Sequence, residues 1–171
     1  LEIHREMAHR LVGRLGERTE AMGELLDLTL YGPAAGLKPG ERPELRNLKI
    51  QPPTVEGTFE LKRDNWRRSH KVPVLILNAT TLNTGHNWQF TAAFMGESPY
   101  QIVPEIDGNE RLRRMYFKEP MPALHQAFPL GRAVAASAAV PALFRPIRLS
   151  GLYPGREVEL VDGGVHDNQG I

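Results

Sequence analysis

Val72-Pro73-Val74-Leu75-Ile76-Leu77-Asn78 is a near-continuous apolar run bounded by polar residues. Such a run reads as a strand covered on both faces, and therefore as a buried strand in mid-sheet with Val74 and Ile76 inside. Thr80 to Asn87 then reads as a loop at the strand's carboxyl end, where open α/β sheets place ligands. His86 in that loop is a candidate pocket residue; a loop histidine satisfied by its neighbours is the plainer alternative.

Outward from this run the signals are local. Residues 1–30 carry Met7, Leu11, Leu15, Met22, Leu25 and Leu26 at helical spacing, which predicts an amphipathic helix. Gly13, Gly16 and Gly23 each weaken it by about 1 kcal/mol relative to alanine, so a kink or a close packing contact is expected. Residues 33–53 are rich in proline and glycine and read as an irregular connection. Val55–Leu61 alternates as an edge strand would, and Trp88–Ala93 reads as another strand. Pro122–Phe128 reads as a short helical segment, and Leu130–Ala139 as a helix stopped by Pro141. Phe144–Leu149 and Glu157–Val161 read as strands joined through Tyr153-Pro154-Gly155.

Bulk properties narrow the function classes. With 171 residues, 41% hydrophobic and 24% charged, the chain has the composition of one globular domain or part of one. A formal charge of +1 offers no global attraction to nucleic acid. The absence of cysteine excludes disulfides, a thiol nucleophile and thiolate metal sites, and suits a reducing compartment. The longest apolar stretches fall short of the ~18 to 20 residues of a membrane-spanning helix. A cytoplasmic or peripheral membrane location is the expectation. Both ends of the chain read as cuts through a longer protein.

Near the carboxyl end, Glu157-Val158-Glu159-Leu160-Val161-Asp162-Gly163-Gly164-Val165-His166-Asp167-Asn168 delivers a carboxylate from a short strand into a double-glycine turn. Gly163 and Gly164 are expected to supply positive φ and close backbone approach. Upstream lies Gly131-Arg132-Ala133-Val134-Ala135-Ala136-Ser137-Ala138-Ala139-Val140-Pro141-Ala142-Leu143-Phe144. Together the two stretches resemble the patatin-like phospholipases, serine acyl hydrolases that use a Ser/Asp pair. The resemblance spans residues 72–171 and is densest after Leu130.

The resemblance implies an α/β fold, with a central, mainly parallel sheet flanked by helices, of which this chain is the carboxyl-terminal part. It implies a lipid or acyl-ester substrate, no metal or organic cofactor, and Asp162 as the base that takes the proton of a nucleophilic serine. That serine would sit in Gly-x-Ser-x-Gly. The glycine pairs four apart, Gly32/Gly36, Gly36/Gly40 and Gly151/Gly155, enclose Ala34, Lys38 and Tyr153 instead. The nucleophile is therefore expected outside these residues, and the chain alone is expected to be inactive. A non-catalytic module that binds a membrane or a protein is the alternative.

Each candidate has a plainer reading. An Asp-Gly turn such as Asp162 is common between elements. Asn168 is assigned to the turn by position only. Ser69, Ser98 and Ser150 lie in loops or at a strand end, and Ser137 sits in an alanine-rich helix where its hydroxyl returns to the preceding turn. His166 offers a Ser/His/Asp arrangement or a metal ligand beside Asp162 and Asp167. No histidine pair has zinc spacing, so no metal site is expected. Lys62, Arg63, Trp66, Arg67, Arg68 and Lys71 form the dense basic cluster, read as a solvated loop, a contact with anionic lipid or a nucleic-acid contact, the last disfavoured. Asn78-Ala79-Thr80 matches a glycosylation sequon that its place at a buried strand end makes incidental.

Overall fold

The computed structural model describes residues 17–99, 108 and 110–167. The first half of the expected amino-terminal helix, and Asn168, lie outside them. The architecture is a curled six-stranded half-barrel, all antiparallel, in the order β4-β3-β2-β1-β6-β5. The strands are β1 (Leu77–Thr81), β2 (Asn87–Phe90), β3 (Phe94–Glu97), β4 (Met115–Tyr116), β5 (Ile147–Tyr153) and β6 (Arg156–Asp162).

This overturns the expected α/β fold with a mainly parallel sheet. The cause is the length of the connections. A parallel neighbour requires a crossover of a dozen or more residues, whereas residues 82–86, 91–93 and 154–155 are tight reversals. Glycines at Gly85 (φ 76°) and Gly155 (φ 65°) supply the left-handed backbone that two of these turns use. The stretch from Thr80 to Asn87 is thus a hairpin and its flanking strand residues, not a ligand loop above a parallel sheet.

The same hairpin corrects the reading of Val72–Asn78. Its turn fixes the register Leu77↔Phe90, and β2 ends at Phe90, so residues before Leu77 meet no partner there. Val74, Leu75 and Ile76 are 45%, 51% and 46% exposed, not buried. The strand that is central begins five residues later than the apolar run. Val55–Leu61 is likewise not a strand; it leads into a four-residue helix, α2 (Leu61–Asp64).

The core forms on one face of the sheet. Directly opposed residues share a face, and Ala79↔Trp88, Ile147↔Leu160 and Leu149↔Val158 all point into it. Phe90 stacks on Phe128 at 5.2 Å between ring centroids. Helix α4 (Leu130–Ser137) covers this face with Ala133, Ala135 and Ala136, after the short α3 (Ala123–Gln126).

Helix α1 (Arg18–Leu26) packs on α4 through glycine. A Cβ on Gly131 would lie 2.1 Å from the Gly23 carbonyl oxygen, so the two backbones touch. A π-helical turn, Asp27–Tyr31, follows α1 and aims Asp27 at the start of α4. The Gly131 amide donates to its Oδ1 at 2.6 Å. Burial pushes the Asp27 carboxyl above its usual range, against the opposing pull of that bond. The 33–53 connection is irregular as expected, apart from short helical turns, and is pinned by the buried Leu45.

Candidate functional site

Asp162 is the last residue of β6 and pairs with Ala79 of β1, so its side chain lies on the face that α4 covers. Its amide donates to the Ala139 carbonyl just beyond α4 at 3.0 Å. Helix and strand thus fix the backbone of the carboxylate from two directions. The carboxylate is partly exposed, and its Oδ1 accepts the Gly164 amide at 2.6 Å as a turn cap. The turn itself, Gly163–Val165, is a single 3₁₀ turn.

Gly163 is required for a reason other than the expected one. Neither Gly163 nor Gly164 has positive φ. A Cβ at Gly163 would meet the Asn78 carbonyl oxygen at 2.6 Å, so only glycine lets β6 leave the sheet this close to β1.

Thr80 ties the turn together. Its hydroxyl donates to the Asp162 carbonyl at 2.9 Å and accepts the His166 amide at 3.1 Å. The exposed His166 ring meets the Gly85 carbonyl through Nδ1 at 2.9 Å. A carbonyl only accepts, so Nδ1 carries the proton and the ring is held toward the hairpin. His86 is buried in that hairpin, and its carbonyl accepts the Thr81 amide at 3.0 Å. The hydrogen bonds of Asp162 run to Ala139, Thr80 and Gly164, and no serine is among them. With Val74 and Ile76 exposed, the expected covered strand beside Asp162 is missing, and the site is not closed within the described residues.

The basic cluster is partly neutralised by its surroundings. Arg63 pairs with Asp64, and Lys71 donates to the Asn65 and Trp66 carbonyls. Asn65 clamps both backbone groups of Val72, at 2.9 and 2.8 Å, closing residues 66–71 into a loop. At the start of this loop Trp66 is 64% exposed, with the Arg67 guanidinium 4.7 Å over its ring. Arg68 lies 5.8 Å from the Phe59 ring.

Two polar features escaped the sequence reading. Glu97 is 1% exposed and accepts from Thr81 at 2.6 Å, from Thr84 and from the Leu112 amide at 2.6 Å. Beside it, Asn83, Thr84, Glu110, Leu112 and Arg156 line an open groove at the opposite end of β1 from Asp162. His125 is fully buried in α3, donates through Nε2 to the Ser150 carbonyl at 2.8 Å, and leaves Nδ1 buried without a partner. Desolvation pushes its pKa below 6.5. Neither has a local sequence signature, because both depend on contacts distant in the chain.

Among the described residues no cluster of three metal-ligating side chains occurs, and no helix is long and apolar enough to cross a membrane. Comparison with known protein families, characterised proteins and solved structures finds no match to this chain.

Proposed function

We propose that this chain supplies the general-base carboxylate of a serine-dependent acyl-ester hydrolase of the lipid-degrading type, with the nucleophile contributed from outside its 171 residues. The observation that carries this reading is Asp162 itself: a partly exposed carboxylate at a strand end, its backbone fixed by β6 and the end of α4, with one oxygen anchored by Gly164. In the reaction the serine oxygen attacks the ester carbonyl as Asp162 takes its proton. The alcohol leaves with a proton returned from Asp162. Water then attacks the acyl-serine by the same route and releases the acid. Trp66 and Arg67 would bring such an enzyme to a lipid surface.

The test is ester hydrolysis. The full-length protein should cleave a short-chain ester, residues 1–171 alone should not, and Asp162→Asn in the full-length protein should lose at least ~100-fold in turnover. His166→Ala should cost far less. A histidine change more damaging than the aspartate change, with folding intact, would replace the Ser/Asp pair by a triad. An inactive full-length protein would leave the same surfaces to a binding module, the reading that the exposed run at Val74–Ile76 otherwise favours.

A further inference from the structure

The chain leaves the sheet at Asp162 through two glycines, and Gly164, Val165 and His166 are exposed. Glycine's conformational freedom selects no single path for such a stretch. Thr80 selects it. Thr80 lies on β1 opposite Val161, on the other face of the sheet from the Ala79↔Asp162 pair, and is 2% exposed. Its hydroxyl donates to the Asp162 carbonyl at 2.9 Å, with the Gly163 carbonyl at 3.5 Å, and accepts the His166 amide at 3.1 Å. One side chain thereby holds both the entrance and the exit of the turn. A hydroxyl has one proton and two lone pairs, so these bonds are made together.

We propose that Thr80 is a positioning residue for Asp162, its buried hydroxyl setting the direction in which the second oxygen of the carboxylate points. For turnover this rests on the hydrolase reading, and for the turn it rests on the geometry. Oδ1 is spent on the Gly164 amide at 2.6 Å, so the plane of the carboxylate follows that amide. Upstream, the Asp162 backbone is fixed by its pairing with Ala79 and by the Ala139 carbonyl. Downstream, the Gly164 amide lies between the two groups that Thr80 holds. The His166 ring adds a tether to the Gly85 carbonyl, but it is exposed, where water competes for the same bond. The Thr80 hydroxyl is buried, and its branched Cβ restricts χ1, so its direction is set by the strand.

Thr80→Val removes the hydroxyl at nearly constant volume, and Thr80→Ser restores it. In the full-length protein the Gly164 amide, which Thr80 does not touch, should exchange at least ~10-fold faster in the valine variant, while the Val158 and Leu160 amides change little. Serine should return Gly164 to near the parent rate. On a soluble short-chain ester, valine should lower kcat at least ~10-fold with KM within about twofold, and serine should recover most of the loss. A merely structural threonine would move Tm and leave kcat alone. Unchanged Gly164 exchange in the valine variant would overturn the proposal. So would a loosened Gly164 with kcat unchanged, or a serine variant as impaired as the valine one. If valine prevents folding, Thr80→Cys takes its place; its thiol bonds weakly, so Gly164 should be less protected than with serine, and equality with serine would overturn the proposal. Activity separates the two readings. An inactive full-length protein whose Gly164 loses protection with valine and not with serine keeps the hold of Thr80 on the turn and loses the hydrolase. An active protein indifferent to valine in both measurements keeps the hydrolase and loses the positioning role.

Discussion

At the carboxyl end of β1, Glu97 spends its carboxylate on Thr81, Thr84 and the Leu112 amide inside the protein, whereas near the amino end Asp162 offers one oxygen to Gly164 and stays partly exposed. Both carboxylates sit on the same face of one sheet, since Trp88 opposes both Ala79 and Glu97, and Ala79 opposes Asp162. What separates them is how much hydrogen-bonding capacity is left over. A buried acceptor with three donors holds a strand, a turn and a loop together, and losing it strands those donors. A carboxylate with an unspent oxygen contributes little to folding and has capacity for a partner that arrives later.

The paired substitutions Glu97→Gln and Asp162→Asn break or sharpen this contrast most directly. Each replaces an acceptor oxygen by an NH₂ donor at nearly constant volume. Glu97→Gln should destabilise the chain by about 2 kcal/mol or more in urea unfolding, because the new donor faces the Thr81 and Thr84 hydroxyls or the Leu112 amide. Asp162→Asn should shift the same curve by less than about 1 kcal/mol and, on the hydrolase proposal, lower turnover in the full-length protein at least ~100-fold. If both variants unfold at the same denaturant concentration, the distinction between a structural and a chemically available carboxylate is lost.

The contrast also explains what was legible beforehand. Asp162 announces itself because the strand, the carboxylate and the two glycines are consecutive, so the turn is a local event. Glu97 is silent because its donors come from positions 81, 84 and 112, brought together only by the sheet. The fold departs from the sequence expectation at the same level. The apolar run at Val72 signals a demand for cover on both faces, but strand direction is set by the tight reversals after β1 and β2, and Asn83-Thr84-Gly85, whose composition suits a loop, forms a hairpin turn. Helix α4 and the β5–β6 hairpin were legible because their signals, a small apolar helix and a Pro-Gly turn, are contained within a dozen residues each.

Acid titration should expose the interior from a different side, with a smaller effect. His125 is held neutral by burial, with its pKa below the 6.5 of the unfolded chain. The unfolded state therefore takes up a proton first as pH falls through 6.5. The stability His125 contributes is complete above that value and drains away below it. Asp27 has the opposite sense, because its folded pKa is raised above 3.8. Its contribution is present below 3.8 and is lost as pH rises through the raised value. His125→Gln retains a donor for the Ser150 carbonyl and cannot ionise. Unfolding free energies measured from about pH 7.5 to 5.5 should fall less steeply for this variant than for the parent, and parallel slopes would remove His125 as the cause.

The smallest effect belongs to the loop that precedes the exposed run at Val74–Ile76. Asn65 clamps Val72 at the base of residues 66–71, so the exposed Trp66 and its stacked Arg67 stand on a loop that leads directly into Val74–Ile76. On the hydrolase proposal, this exposed loop would be the contact with a lipid surface. Each basic residue near an anionic bilayer contributes about 1 kcal/mol, and the attraction fades within a Debye length as salt is added. Arg67→Glu with Arg68→Glu reverses two charges without touching Asn65 or Lys71, so the clamp and the fold should survive. Vesicles of phosphatidylcholine with phosphatidylserine should bind the double variant at least ~10-fold more weakly at low ionic strength. The difference should shrink with salt, and turnover of a soluble ester should not change. Equal vesicle binding at low salt would make the cluster a solvated loop, and the two ends of β1 would then differ in their carboxylates alone.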